Sequence, residues 1–215
     1  MHTYVKLLQK VATRNAPSRS LSYDMVHVFK TLQLINDNGH VSRHSLCKKL
    51  GLGEGTVKTL VKHLKNYGLI ETSKTGTRIS EKGNKLLSEV RLSMSAEMSI
   101  SKCSVALGKY NYAILLKQIA YVIRTGIEQR DAAIKMNALG ATTLVYKDNR
   151  FMIPKTNFHA FHKEQKLHTL LVEVLKPVED DVLIIGSDNK SERAAEFAAK
   201  SAGLVTIMNH EKHIF

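Results

Sequence analysis

Cysteine is scarce in this 215-residue chain, and its two cysteines, Cys47 and Cys103, stand far apart. That spacing suits neither a metal knuckle nor a redox pair, which excludes a disulfide-stapled scaffold and leads us to expect a reduced, intracellular setting. Long apolar runs are missing too. No stretch reaches the roughly 18 residues a bilayer-spanning helix needs, and the opening MHTYVKLLQKVATRNAPS carries no signal-type apolar core. A cytoplasmic protein without a membrane partner is therefore expected.

What is present describes a folded protein: 43% hydrophobic and 24% charged residues, in a length that suggests two domains. A net charge of +13 with a pI near 9.7 suits an anionic partner. The excess is uneven. Residues 1–98 hold 16 Lys/Arg against 7 Asp/Glu, whereas residues 99–215 hold 16 against 12.

The pattern begins with an amphipathic helix on Tyr4, Leu7, Leu8 and Val11, broken at Asn15, Pro17 and Ser18. A second helix, capped by Ser22 or Asp24, repeats Met25, Val28, Phe29, Leu32 and Ile35 on one face. Over 41–67 the signal sharpens. Ser42 caps a short helix with Leu46, Cys47 and Leu50 inside, Gly51-Leu52-Gly53 turns, and a helix from Glu54 buries Val57, Leu60, Val61 and Leu64. Its other face displays Thr56, Lys58, Thr59, Lys62, His63 and Lys65, with no acid after Glu54. Such a pair suits a helix-turn-helix, whose second helix enters the major groove: lysines neutralise phosphates while Thr and His can meet base edges. Leu69–Ser73 and Thr77–Ser80, around Lys74-Thr75-Gly76, predict a hairpin wing with Lys74 and Arg78 near its tip, followed by a helix capped by Ser80.

This order of elements, with "YGLIE" and "ISEKG", resembles the winged-helix regulators of bacteria and archaea over about residues 20–95. The resemblance implies duplex DNA binding, usually as a dimer on two half-sites. The candidate DNA-contacting residues are Ser42, Arg43, Thr56, Lys58, Thr59, Lys62, His63, Lys65, Lys74 and Arg78.

"RLSMSAEMSIS" (91–101) has no strong period and is expected to hold the junction between a DNA-binding domain, 1–95, and a second domain, 100–215. The latter predicts an initial strand around Val105 and Leu107, an apolar stretch 112–123 open between strand and helix, a helix from Gly126 or Ile127 to about Leu139, and strands 142–146 and 151–153. A helix 163–175, a buried strand 182–185, a helix 191–202 and a closing strand 204–208 follow. The fold class is therefore α+β: a winged helix-turn-helix domain plus a mixed α/β domain. "GIEQRDAA", "GATTL" and "VLIIGSD" together resemble a C-terminal domain of unknown function found on archaeal winged-helix proteins, which implies an effector or oligomerisation role without supplying a ligand.

Two constellations are candidate ligand sites. Gly186, Ser187 and Asp188 follow a strand and precede a helix whose free amides attract anions, although they form neither a GxGxxG nor a Walker loop. Glu128, Arg130 and Asp131 open a helix, where Arg130 can clamp an anion or pair with its acidic neighbours. The ten histidines, including the loose group His159, His162 and His168, are expected at the surface with no metal. Glu179-Asp180-Asp181 reads as a solvated turn, so no enzyme and no cofactor is expected. The expected partners are double-stranded DNA, a second copy of the chain and a small-molecule effector. The alternatives are a protein-docking scaffold and a regulator with an enzymatic second domain.

Overall fold

The computed structural model describes residues 2–13, 21–73 and 76–210, with only the backbone of His2. The chain divides into two compact units, at Val90/Arg91. Within the described residues no helix is long and apolar enough to cross a membrane.

The first unit is built from α1 (His2–Val11), α2 (Met25–Asn38), α3 (Arg43–Leu50), α4 (Glu54–Asn66), β1 (Ile70–Ser73), β2 (Gly76–Ile79) and the start of α5 (Glu81–Ser93). Side chains set its helix starts. Asp24 caps α2 in a reciprocal capping box with His27, and the Ser42 hydroxyl accepts from the Ser45 amide at 3.1 Å to begin α3. Ser80 does two jobs: its hydroxyl donates to the Gly68 carbonyl at 2.6 Å and accepts from the Gly83 amide at 3.0 Å. One hydroxyl thus ties the end of the helix-turn-helix to the start of α5. Phe29, Leu32, Leu46, Leu60 and Leu64, which the helical spacing places inside, are fully buried, and Val26 and Leu69 join them in the core. The antiparallel β1–β2 pair is a short wing, with Glu71 opposite Arg78.

The second unit holds β3 (Met94–Ile100), β4 (Tyr110–Leu116), α6 (Ile127–Lys135), β5 (Gly140–Lys147), β6 (Arg150–Met152), α7 (Gln165–Leu175), β7 (Val182–Asp188) and α8 (Glu192–Asn209). Its strands form one sheet in the order β3-β4-β7-β5-β6, every neighbouring pair antiparallel. Both faces are covered. Ala113, Leu115, Leu144, Leu183 and Ile185 join Leu171 and Leu175 of α7 in one cluster. The alternate residues meet α8, where Gly203 sits against Ile114, Leu116 and Met94. Double coverage explains why every residue of β7 is buried.

The segment 91–101 comprises the end of α5 and the edge strand β3, with Met94 and Ile100 buried in the sheet. Two expectations change here. Around Val105 and Leu107 there is no strand; the first strand of the 105–116 region starts at Tyr110. The closing strand expected at 204–208 is instead the last part of α8. Thr206 and Ile207 have strand-like preferences, but both are buried in the helix, and tertiary packing overrides propensity. The 112–123 ambiguity resolves into β4 and a short 3-10 turn at Ala120–Val122.

Candidate nucleic-acid interface

The exposed side of α4 carries Lys58, Lys62 and Lys65, spaced so that they form one stripe, and all three are solvent-exposed. Their side chains make no ion pair among the described residues. Thr56 and Thr59 flank the stripe, half-buried, and the Thr59 hydroxyl donates to the Gly55 carbonyl at 3.0 Å, which leaves its oxygen free to accept. At the start of the helix, Gly53 supplies no side-chain cap. A Cβ added at Gly53 or Gly55 would meet nothing within 4 Å, and neither residue has a positive φ. No packing or backbone constraint within the fold therefore demands glycine there. Ser42 and Arg43 stand exposed at the start of α3, the Ser42 hydroxyl being engaged by the Ser45 amide.

Three other candidate DNA-contacting residues stand differently. Lys74 lies outside the described residues. Arg78 is exposed, but its guanidinium is held by Glu71, with Nε donating to Oε2 at 2.8 Å across the wing. His63 turns toward the protein: its Nδ1 lies 2.8 Å from the Tyr23 hydroxyl and 3.1 Å from the Val11 carbonyl. These contacts turn the ring toward Tyr23 and Val11 rather than outward and tie α4 to the end of α1.

The candidate ligand residues of the second unit are also engaged internally. Gly186, Ser187 and Asp188 belong to β7 and are buried, so they form no loop. The Ser187 hydroxyl donates to Asn111 Oδ1 at 2.7 Å and accepts from the Leu107 amide. Asp188 receives the amides of Lys190 and Ser191, which shapes the turn into α8. A Cβ on Gly186 would lie 2.3 Å from the Ala195 carbonyl oxygen and 2.4 Å from the Ala199 nitrogen, so this glycine exists to let α8 touch the sheet. Arg130 pairs with Asp131 at 3.1 Å, both half-exposed, and Glu128 accepts from Asn209.

The acidic run is not wholly solvated. Asp181 is fully buried and receives Lys117 Nζ at 2.6 Å together with the amides of Gln118 and Val178. Lys200 is fully buried as well, held by Glu196 at 2.6 Å and Glu97 at 3.0 Å, which fastens α8 to β3. Nearby, burial and then the charges of Glu97 and Glu196 push the Tyr112 phenol far above its ordinary range. His159 and His168 are half-buried and stack edge to face at 5.4 Å, unlike the surface placement expected for them. His159 Nε2 is buried without a hydrogen-bond partner among the described residues. Burial first, then His168, Arg150 and His162, hold its pKa below the ordinary value. Among the described residues no group of three His, Cys, Asp or Glu is placed to hold a metal ion.

With that geometry in view, residues 25–94 match the family model described as the CggR N-terminal DNA binding domain. Residues 107–207 match the model of a domain of unknown function (DUF4443). The chain thus places a segment of DNA-binding-domain type before a domain of unknown function. A hypothetical protein from Pyrococcus horikoshii OT3 shares the fold, with 22% sequence identity and a TM-score of 0.67 over 90% of this chain and 96% of that one. No curated protein matches the chain.

Proposed function

We propose that the protein is a DNA-binding transcriptional regulator in which α4 enters the major groove of duplex DNA. The observation that carries this reading is the lysine stripe Lys58, Lys62 and Lys65 on the exposed face of α4, without an ion pair among the described residues, in a segment matching a DNA-binding domain model. Lysines so placed neutralise phosphates on the groove walls, while Thr56 and Thr59 lie beside them to meet base edges. Two copies, placing their α4 helices about 34 Å apart, would read two half-sites. The second unit serves as an effector domain rather than an enzyme: Asp181, the buried acid of its acidic run, is committed to Lys117 and backbone amides.

Selection of bound sites from random duplex DNA, at two salt concentrations, tests the reading. An inverted repeat that survives the higher salt supports a sequence-specific dimer. Salt-sensitive binding without a motif would leave a nonspecific binder, and absence of binding would move the first unit to protein docking. Lys62→Ala is expected to weaken binding on every sequence and to reduce the salt slope by about one, whereas Thr59→Ala mainly relaxes base preference.

A further inference from the structure

The second unit contains a cleft of about 640 Å³ between the 118–123 segment and the β5–β6 hairpin with the turn that follows it. Its volume lies within the roughly 300–1,000 Å³ of small-molecule sites. Val145, Met152, Ile123 and Pro154 give it apolar lining, and Lys147, Arg150 and Lys155 are its cations.

Those cations have no structural employment. All three are exposed, and none has a hydrogen bond or ion pair from its side chain among the described residues. Lys147 stands directly opposite Arg150 in the hairpin register, so both side chains leave the same face. Like charges placed so oppose the pairing of the strands, and an anion between them reverses the sign of that interaction. Asp148 and Asp180 also line the cleft, yet neither carboxylate pairs with the cations. They remain as acceptors for a hydroxyl or amino group.

The backbone supplies an independent observation. Of the seven non-glycine residues with positive φ among the described residues, four line this one cleft: Gln118 at 46°, Asp148 at 48°, Lys155 at 61° and Asp180 at 65°. The hairpin turn accounts for Asp148. Gln118 and Lys155 are residue types that rarely adopt this conformation, and strain of this kind gathers at binding sites.

We infer that this cleft binds a small organic anion, a phosphate ester or carboxylate whose apolar body rests on Val145 and Met152 and whose charge lies between Lys147 and Arg150. A duplex surface is a poorer occupant, because a broad convex backbone does not fill a concave cleft. The inference relies on the regulatory reading only for the purpose binding would serve.

The test is calorimetric titration of the full chain, without DNA, using phenyl phosphate, inorganic phosphate and phenol as probes. Phenyl phosphate is expected to saturate one site per chain with a Kd on the order of 1 mM, at least about tenfold tighter than either fragment. The double variant Lys147→Ser/Arg150→Ser is expected to weaken it at least about tenfold, with an unchanged or raised Tm because both side chains are exposed. No saturation, equal binding of inorganic phosphate, or unchanged binding in the double variant would each overturn the inference. DNA binding, measured separately, fails or succeeds without touching this result.

Discussion

Gly55 offers a sharp separation of what α4 needs for folding from what it needs for binding. It is the second residue of the helix, where glycine costs backbone entropy that alanine would not. A methyl group there meets no atom within 4 Å and faces no conformational penalty. Gly55→Ala should therefore stabilise the unbound protein by about 0.4–1 kcal/mol, through the reduced freedom of the unfolded chain. For a unit of this size that corresponds to an upward Tm shift of roughly 2–8 °C. If the start of α4 faces the duplex, the same methyl intrudes on the approaching partner, and affinity should drop on the order of tenfold. Calorimetric melting and a fluorescence anisotropy titration on a selected duplex measure the two effects separately. A lowered Tm would refute the local packing argument. A raised Tm with unchanged affinity would refute the placement of the α4 start against DNA.

Further substitutions test the internal roles assigned above. His63→Phe keeps the ring but loses the contacts to Tyr23 and Val11, so it should cost about 1 kcal/mol in urea unfolding while base preference in site selection stays the same. Gly186→Ala forces α8 off the sheet and should cost about 3 kcal/mol by the same assay, and a loss below about 1 kcal/mol would contradict the close approach. His159 is held below its ordinary value of 6.5, so protonation favours the unfolded chain. Its stability contribution is complete above about pH 6.5 and declines as pH falls below it toward the folded-state value. Melting curves across that range should show less pH dependence in His159→Phe than in the parent.

The first unit was readable from sequence because its signals are local. Asp24, Ser42 and Ser80 sit where the helices begin, and the buried positions of α2 and α4 recur at helical spacing. His63 was misread because its partner, Val11, lies 52 residues away; the helical wheel alone puts it beside Thr59, outside. The end of α8 was misread for a similar reason. Leu204 to Met208 look like a strand until Gly203 is seen to admit Ile114 and Leu116 from β4, a contact with no trace in the local pattern. In the second unit, the glycine and serine of "VLIIGSD" suggested an anion site between a strand and a helix start, but they answer to close helix packing and to Asn111. The cleft joins residues near 120, 150 and 180, and no window of sequence displays that convergence.

The strand order β3-β4-β7-β5-β6 also dictates when the second unit can be assembled during synthesis. β7, which joins the two halves of the sheet, starts only at Val182. Until it leaves the ribosome, β3–β4 and β5–β6 are separate hairpins with no common neighbour, each presenting an open edge. The helix-turn-helix is by then long complete. Nascent chains therefore pass through a period in which the lysine-bearing helix has already been synthesised while the sheet of the second unit cannot yet close.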